Sequence, residues 1–96
     1  MPHYDYVGGA VPALTGLLVT LYGRESCPPC TRTKKLLDQA GVAFLYVDVD
    51  EDPDALEGLT EQDWVTALPV VITPDLQWCG YRPEHIRTLT TRYEPS

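Results

Sequence analysis

Cys27 and Cys30 stand three positions apart in Cys27-Pro28-Pro29-Cys30. Two thiols at this spacing can exchange with a disulfide: one attacks, a mixed disulfide forms, and the other displaces it. The attacking species is the thiolate, so any source of positive potential beside the sulfur raises its reactive fraction at neutral pH. A third cysteine, Cys79, stands alone, and an odd count argues against a disulfide framework.

Two other readings of the pair stay open beside thiol–disulfide chemistry. A structural zinc needs four ligands. C-x-x-C supplies two, and Cys79, His85 and His3 stand at no familiar zinc spacing. An inert pair of core cysteines is the second, but two prolines at a helix start pack poorly in a core. The residues favour redox chemistry with no metal and no cofactor, since both electrons can come from the two sulfurs themselves.

Such a pair must be held by something. Leu17 to Tyr22 is a short, β-rich apolar run ended by Gly23, which reads as a buried strand. A helix signal follows. Ser26 or Cys27 can cap it, and Pro28 or Pro29 suits a first turn, where a missing N–H costs nothing. Thr33, Leu36, Leu37 and Ala40 share one face, and Gly41 ends the helix as a C′ glycine. The spacing therefore puts Cys27 at a helix N-terminus, with its free N–H groups and partial positive charge. Cys27 is expected at the exposed end as the attacking thiol, and Cys30, one turn on, as the more buried resolving thiol.

Val42 to Val49 reads as a second strand, and strand, helix, strand makes a right-handed βαβ unit with parallel strands. Asp52-Pro53 opens a short helix with Ala55, Leu56 and Leu59 inward, weakened by Gly58. After Pro69, Val70 to Thr73 is a third strand, Pro74-Asp75 a turn and Leu76 to Cys79 a fourth strand, antiparallel because the link is tight. Pro83 starts a last helix with Ile86, Leu89 and Tyr93 on one face. The class is α/β: a four-stranded mixed sheet flanked by three helices, in an order that resembles the compact thioredoxin-like fold. In that arrangement Pro69 is expected to be cis and to face the C-x-x-C, with the Leu68 backbone turned toward an incoming extended peptide. An ordinary trans proline at a strand start is the bland alternative.

Residues 1–16 hold Pro2, Gly8, Gly9, Pro12 and Gly16 and no regular periodicity, so they read as a flexible arm before a single redox domain over 17–96. One domain is all that 96 residues allow. No run approaches the ~18 apolar residues of a membrane span. The start carries no Lys or Arg before Gly16, unlike a signal peptide, so a cytoplasmic location is expected. The net charge of −7 argues against nucleic acid as a partner. Its main source, eight acids and no base from Asp48 to Asp63, reads as a solvated face.

The chain also resembles a known family. Leu21-Tyr22, Cys27 to Cys30 and Thr31-Arg32-Thr33-Lys34-Lys35 are similar to the glutaredoxin-like proteins called NrdH-redoxins. So are Gly41 to Phe44, Val47-Asp48, Pro69 to Val71 and, above all, Trp78-Cys79-Gly80-Tyr81-Arg82-Pro83, which matches a W-x-G-[FY]-R-P element. The resemblance covers residues 17 to about 90. It implies a monomeric electron carrier that takes electrons from NADPH through thioredoxin reductase and gives them to class Ib ribonucleotide reductase. By the same resemblance Cys27 is the nucleophile, Cys30 resolves, Leu68 and Pro69 meet the substrate, and Trp78, Gly80, Tyr81 and Arg82 brace the loop beside them.

Three absences agree with that branch. Thioredoxins carry a buried Asp where this chain has Leu21, and Trp where it has Ser26. Glutaredoxins place a carboxylate near Gly80-Tyr81-Arg82 to hold the ammonium group of glutathione, and Arg82 has the wrong sign for that. A glutathione- or mycothiol-dependent glutaredoxin is the alternative, and a zinc- or partner-binding module on a redox fold is a further one. The chain departs from the family in its Pro-Pro pair, in Asp63-Trp64-Val65 and in the arm. Cys79 stands where the family has Ser, and it reads as a small Ser substitute, a third redox thiol or a metal ligand.

Overall fold

The computed structural model describes residues 4–7, 19–74 and 76–92. Five strands and three helices follow in chain order: β1 (Tyr4–Val7), β2 (Thr20–Gly23), α1 (Pro28–Gln39), β3 (Phe44–Asp48), α2 (Pro53–Thr60), β4 (Val70–Ile72), β5 (Gln77–Cys79) and α3 (Pro83–Arg92). The sheet order is β1-β3-β2-β4-β5. β2 and β3 are parallel across α1, whereas β4 runs antiparallel to β2 and β5 antiparallel to β4. The four strands and three helices expected from the sequence are thus present as a mixed sheet. Among the described residues no helix is long and apolar enough to cross a membrane.

The arm expected over residues 1–16 is in part a sheet element. Tyr4–Val7 pairs antiparallel with β3, from Tyr4 opposite Val47 to Val7 opposite Phe44. It adds a fifth strand and covers a β3 edge that would otherwise offer unpaired N–H and C=O groups. The rest of the arm lies outside the described residues, as do Tyr93 and Asp75.

Side chains alternate across the sheet and divide the core in two. One face buries Leu21, Phe44, Tyr46, Val71 and Trp78 against Leu37 of α1 and Ile86 and Leu89 of α3. The other buries Val49 and Val70 against Leu59 of α2, with Tyr22, Leu56, Trp64 and Leu68 around them. Each fully buried Leu, Val or Phe contributes about 1.5–3 kcal/mol.

The helix ends are fixed by local chemistry. Beyond the α1 C-cap, Gly41 takes φ +75°, a conformation that favours glycine, and Gly41 N and Val42 N donate to Asp38 O and Leu37 O at 3.1 and 3.0 Å. Asp52 caps α2 by accepting from Ala55 N at 3.1 Å. The β4–β5 link is closed by the Thr73 hydroxyl, which accepts from Leu76 N and donates to Leu76 O, both at 2.9 Å.

Candidate active site

Cys27 is the N-cap of α1. Pro28 and Pro29 occupy the first two helical positions and have no N–H, so the first helical donor is Cys30 N. That N–H points at Cys27 Sγ, 3.3 Å away. The sulfur therefore takes the place of a capping oxygen, at the positive end of a twelve-residue helix. Thr31 N donates to Cys27 O at 3.1 Å and starts the helical ladder. One turn on, buried Thr33 donates its hydroxyl to Pro29 O at 2.9 Å.

Cys27 and Cys30 are joined as a disulfide with their Cα atoms 5.2 Å apart, inside the normal range for a bridge. Their exposures differ. Cys27 is half-buried and Cys30 is 2% exposed. Cys30 lies over Gly23 at the end of β2, where a built Cβ would come within 3.1 Å of Cys30 Cβ and Sγ. A glycine there lets the second sulfur sit down on the strand. A reducible pair with one sulfur toward solvent and one against the sheet can run a two-step exchange.

The Leu68–Pro69 peptide is cis, as expected. Pro69 is buried, and its carbonyl accepts from Gly80 N at 2.8 Å, which ties the turn before β4 to the end of β5. Gly80 holds φ +83° there. Among the described residues no backbone hydrogen bond involves Leu68. Leu68 lines a hollow with Arg24, Leu56 and Val65. Arg24 also lines the hollow beside Cys30, and so links the Leu68 turn with the C-x-x-C. Its guanidinium lies 3.4 Å from Asp50 Oδ1.

The remaining site residues expected from the sequence separate. Trp78 is a core residue, 5% exposed, with its ring 5.1 Å from His85, which is half-buried. Trp78 and Arg82 share a hollow with Trp64, Gln77, Cys79 and His85. Tyr81, 38% exposed, lies beside Leu36 of α1 and its C-cap residue Ala40. Cys79 Sγ donates to Trp64 O at 3.2 Å and lies 3.6 Å from Thr66 Oγ1. The Thr66 backbone N–H holds the Cys79 thiol below its usual range, against partial burial, with the Thr66 hydroxyl, Ala67 N–H and Arg82 charge adding. Among the described residues no group of three or more His, Cys, Asp or Glu could hold a metal ion.

Sequence reasoning passed over the polar wall beside Cys30. A cavity of about 260 Å³ is lined by Cys30 together with Glu25, Lys34, Tyr46 and Asp48. Lys34 Nζ lies 4.3 Å from the centroid of the Tyr46 ring. The signal was available: Lys34 is four residues after Cys30 on the helix, and Tyr46 and Asp48 share a strand face.

The glutaredoxin family model matches residues 19–75. The glutaredoxin-like protein NrdH of Escherichia coli K12 is 41% identical over 71 residues, 74% of this chain and 86% of that protein. Its namesake from Lactococcus lactis MG1363 is 32% identical over 72 residues, 75% and 99% of the two chains. The solved structure of the E. coli NrdH-redoxin, a glutaredoxin-like protein with a thioredoxin-like activity profile, superimposes with a TM-score of 0.71 at 38% identity, over 82% of this chain and 97% of that one.

Proposed function

On the premise that the chain belongs to the glutaredoxin family, in its NrdH-redoxin branch, and is a thiol–disulfide oxidoreductase, we propose that it donates electrons to ribonucleotide reductase and is recharged by thioredoxin reductase with NADPH. Its substrate is then a protein disulfide, and its place of work the cytosol, as a monomer. The observation that carries the choice of reductant is the likeness to a protein with a thioredoxin-like activity profile. Arg82 supports it, because a cation repels the ammonium group by which glutathione would be held.

The reaction starts from the dithiol. Cys27, at the helix N-terminus and reachable from solvent, attacks the substrate disulfide as a thiolate and releases one substrate thiol. Cys30 then attacks Cys27 Sγ, frees the second substrate thiol and closes the bridge. Leu68 offers its backbone to an extended substrate segment. Pro69 and Gly80 fix the height of that turn through their 2.8 Å hydrogen bond. Trp78 supports it from the core, and Tyr81 and Arg82 are the exposed flank that a partner would meet.

The test is deoxynucleotide formation by class Ib ribonucleotide reductase with NADPH, thioredoxin reductase and this chain as sole carrier. Turnover that is lost in Cys27→Ser supports the reading. Absent turnover with a folded, reduced wild-type chain sinks it.

A further inference from the structure

Resolution of the mixed disulfide needs Cys30 as a thiolate, so a thiol that is only 2% exposed must lose its proton. Leu21, on β2 below Gly23, is fully buried and supplies no carboxylate. The structure assigns that task to Asp48: we propose that Asp48 accepts the Cys30 proton, through water in the cavity they share, during the second step of the dithiol mechanism proposed above.

The placement follows from the sheet. Asp48 is the parallel partner of Gly23, so the two Cα atoms are neighbours across one strand spacing of about 5 Å. Period two puts Phe44, Tyr46 and Asp48 of β3 on the α1 face, beside Leu21 and Gly23 of β2. Cys30 Sγ lies over that same face, in the space Gly23 leaves open. Cys30 and Asp48 then line one cavity of about 260 Å³, which has room for water. Asp48 Oδ1 accepts from Asp50 N at 2.9 Å. Among the described residues Oδ2 has no hydrogen-bond partner, so it keeps its lone pairs for a proton.

Charged groups enter the cavity from every element around Cys30. Arg24 is directed to Asp50, and Lys34 lies over the Tyr46 ring on the α1 side, where it favours the anionic sulfur that the transfer creates. Glu25 is exposed on the loop before α1 and is the competing acceptor. The step balances. The proton leaves Cys30 Sγ for the Asp48 carboxylate, the Cys30–Cys27 bond forms, and the Cys27–substrate bond breaks. The electron pair departs on the substrate sulfur, which takes up the proton as Asp48 returns it through solvent.

Dithiobis-nitrobenzoate separates the two steps. In a Cys79→Ser background, which removes the free thiol, attack by Cys27 releases one coloured thiolate and resolution by Cys30 releases the second. Asp48→Asn keeps an oxygen acceptor for Asp50 N but takes up no proton at neutral pH. The expected result is an unchanged first release and a second release slowed about tenfold or more near neutral pH. The gap narrows as pH rises, because hydroxide takes over the deprotonation. Glu25→Gln leaves both releases as in wild type. An unchanged second release in Asp48→Asn across the pH range overturns the assignment, and so does the same loss in Glu25→Gln. In that Cys79→Ser background, a first release as fast with Cys27→Ser as without it overturns the dithiol mechanism itself, and this inference with it.

Discussion

Gly23→Ala and Gly58→Ala are the same chemical change and should shift stability in opposite directions. At Gly23 the added Cβ meets Cys30 Cβ and Sγ at 3.1 Å and Tyr46 Cε1 at 3.4 Å. Cys30 has little room to retreat, because its N–H is directed to Cys27 Sγ and its sulfur is tied to Cys27. Overfilling a packed site costs about 1–3 kcal/mol. Against this, losing a glycine lowers the freedom of the unfolded chain and returns about 0.4–1 kcal/mol. The net expectation is a loss of roughly 1 kcal/mol, a Tm drop of about 4–8 °C for a domain of this size. At Gly58, exposed within α2, nothing lies within 4 Å of the added Cβ. There only the gain remains, about 0.5–1 kcal/mol, with Tm raised by a few degrees. Thermal unfolding of both variants in the oxidised form reads the difference. Gly23→Ala should also slow the second release from dithiobis-nitrobenzoate, and Gly58→Ala should not. An unchanged or raised Tm in Gly23→Ala would refute the packing of Cys30 on β2.

Three further outcomes are expected. Asp52→Ala should lose about 1 kcal/mol through the α2 cap, whereas Asp52→Asn keeps the capping oxygen and most of that stability, checked by urea unfolding. Burial first, and the Asp52 charge second, push the Tyr22 phenol above its usual value near 10. Because the folded state holds that proton more tightly, stability is full below the unfolded value and falls as pH rises through the raised one; Asp52→Asn should bring the ultraviolet titration of Tyr22 down. With Cys27 and Cys30 oxidised, Cys79 should alkylate with a midpoint below the ordinary thiol range, and a midpoint at or above that range would contradict the donor set at Thr66 and Ala67.

Much of this site could be read from residue types alone. Pro28 and Pro29 at a helix start, capped by a cysteine and closed by Gly41, fix α1 and the place of both sulfurs. The Leu68–Pro69 turn lay equally open to view, since a proline before a β-branched run in this element order has few places to go. Tyr4–Val7 was hidden. Its alternation spans only four residues between Pro2 and Gly8-Gly9, and its strand exists because β3 offers an edge. Trp78 and Tyr81, three positions apart, fall on different surroundings, one in the core and one beside α1, which a linear motif does not reveal. In the sequence Asp48 reads with the acidic run as a solvated charge. Only the pairing of β3 with β2 shows that it shares a cavity with Cys30.

On the proposed function this dithiol draws electrons from thioredoxin reductase and not from glutathione. The direct measurement is NADPH consumption with a protein disulfide as acceptor, run once with thioredoxin reductase and once with glutathione and glutathione reductase, each at saturating carrier. Sustained, Cys27-dependent turnover with thioredoxin reductase and little with glutathione is the predicted result. Turnover with glutathione alone would contradict the account.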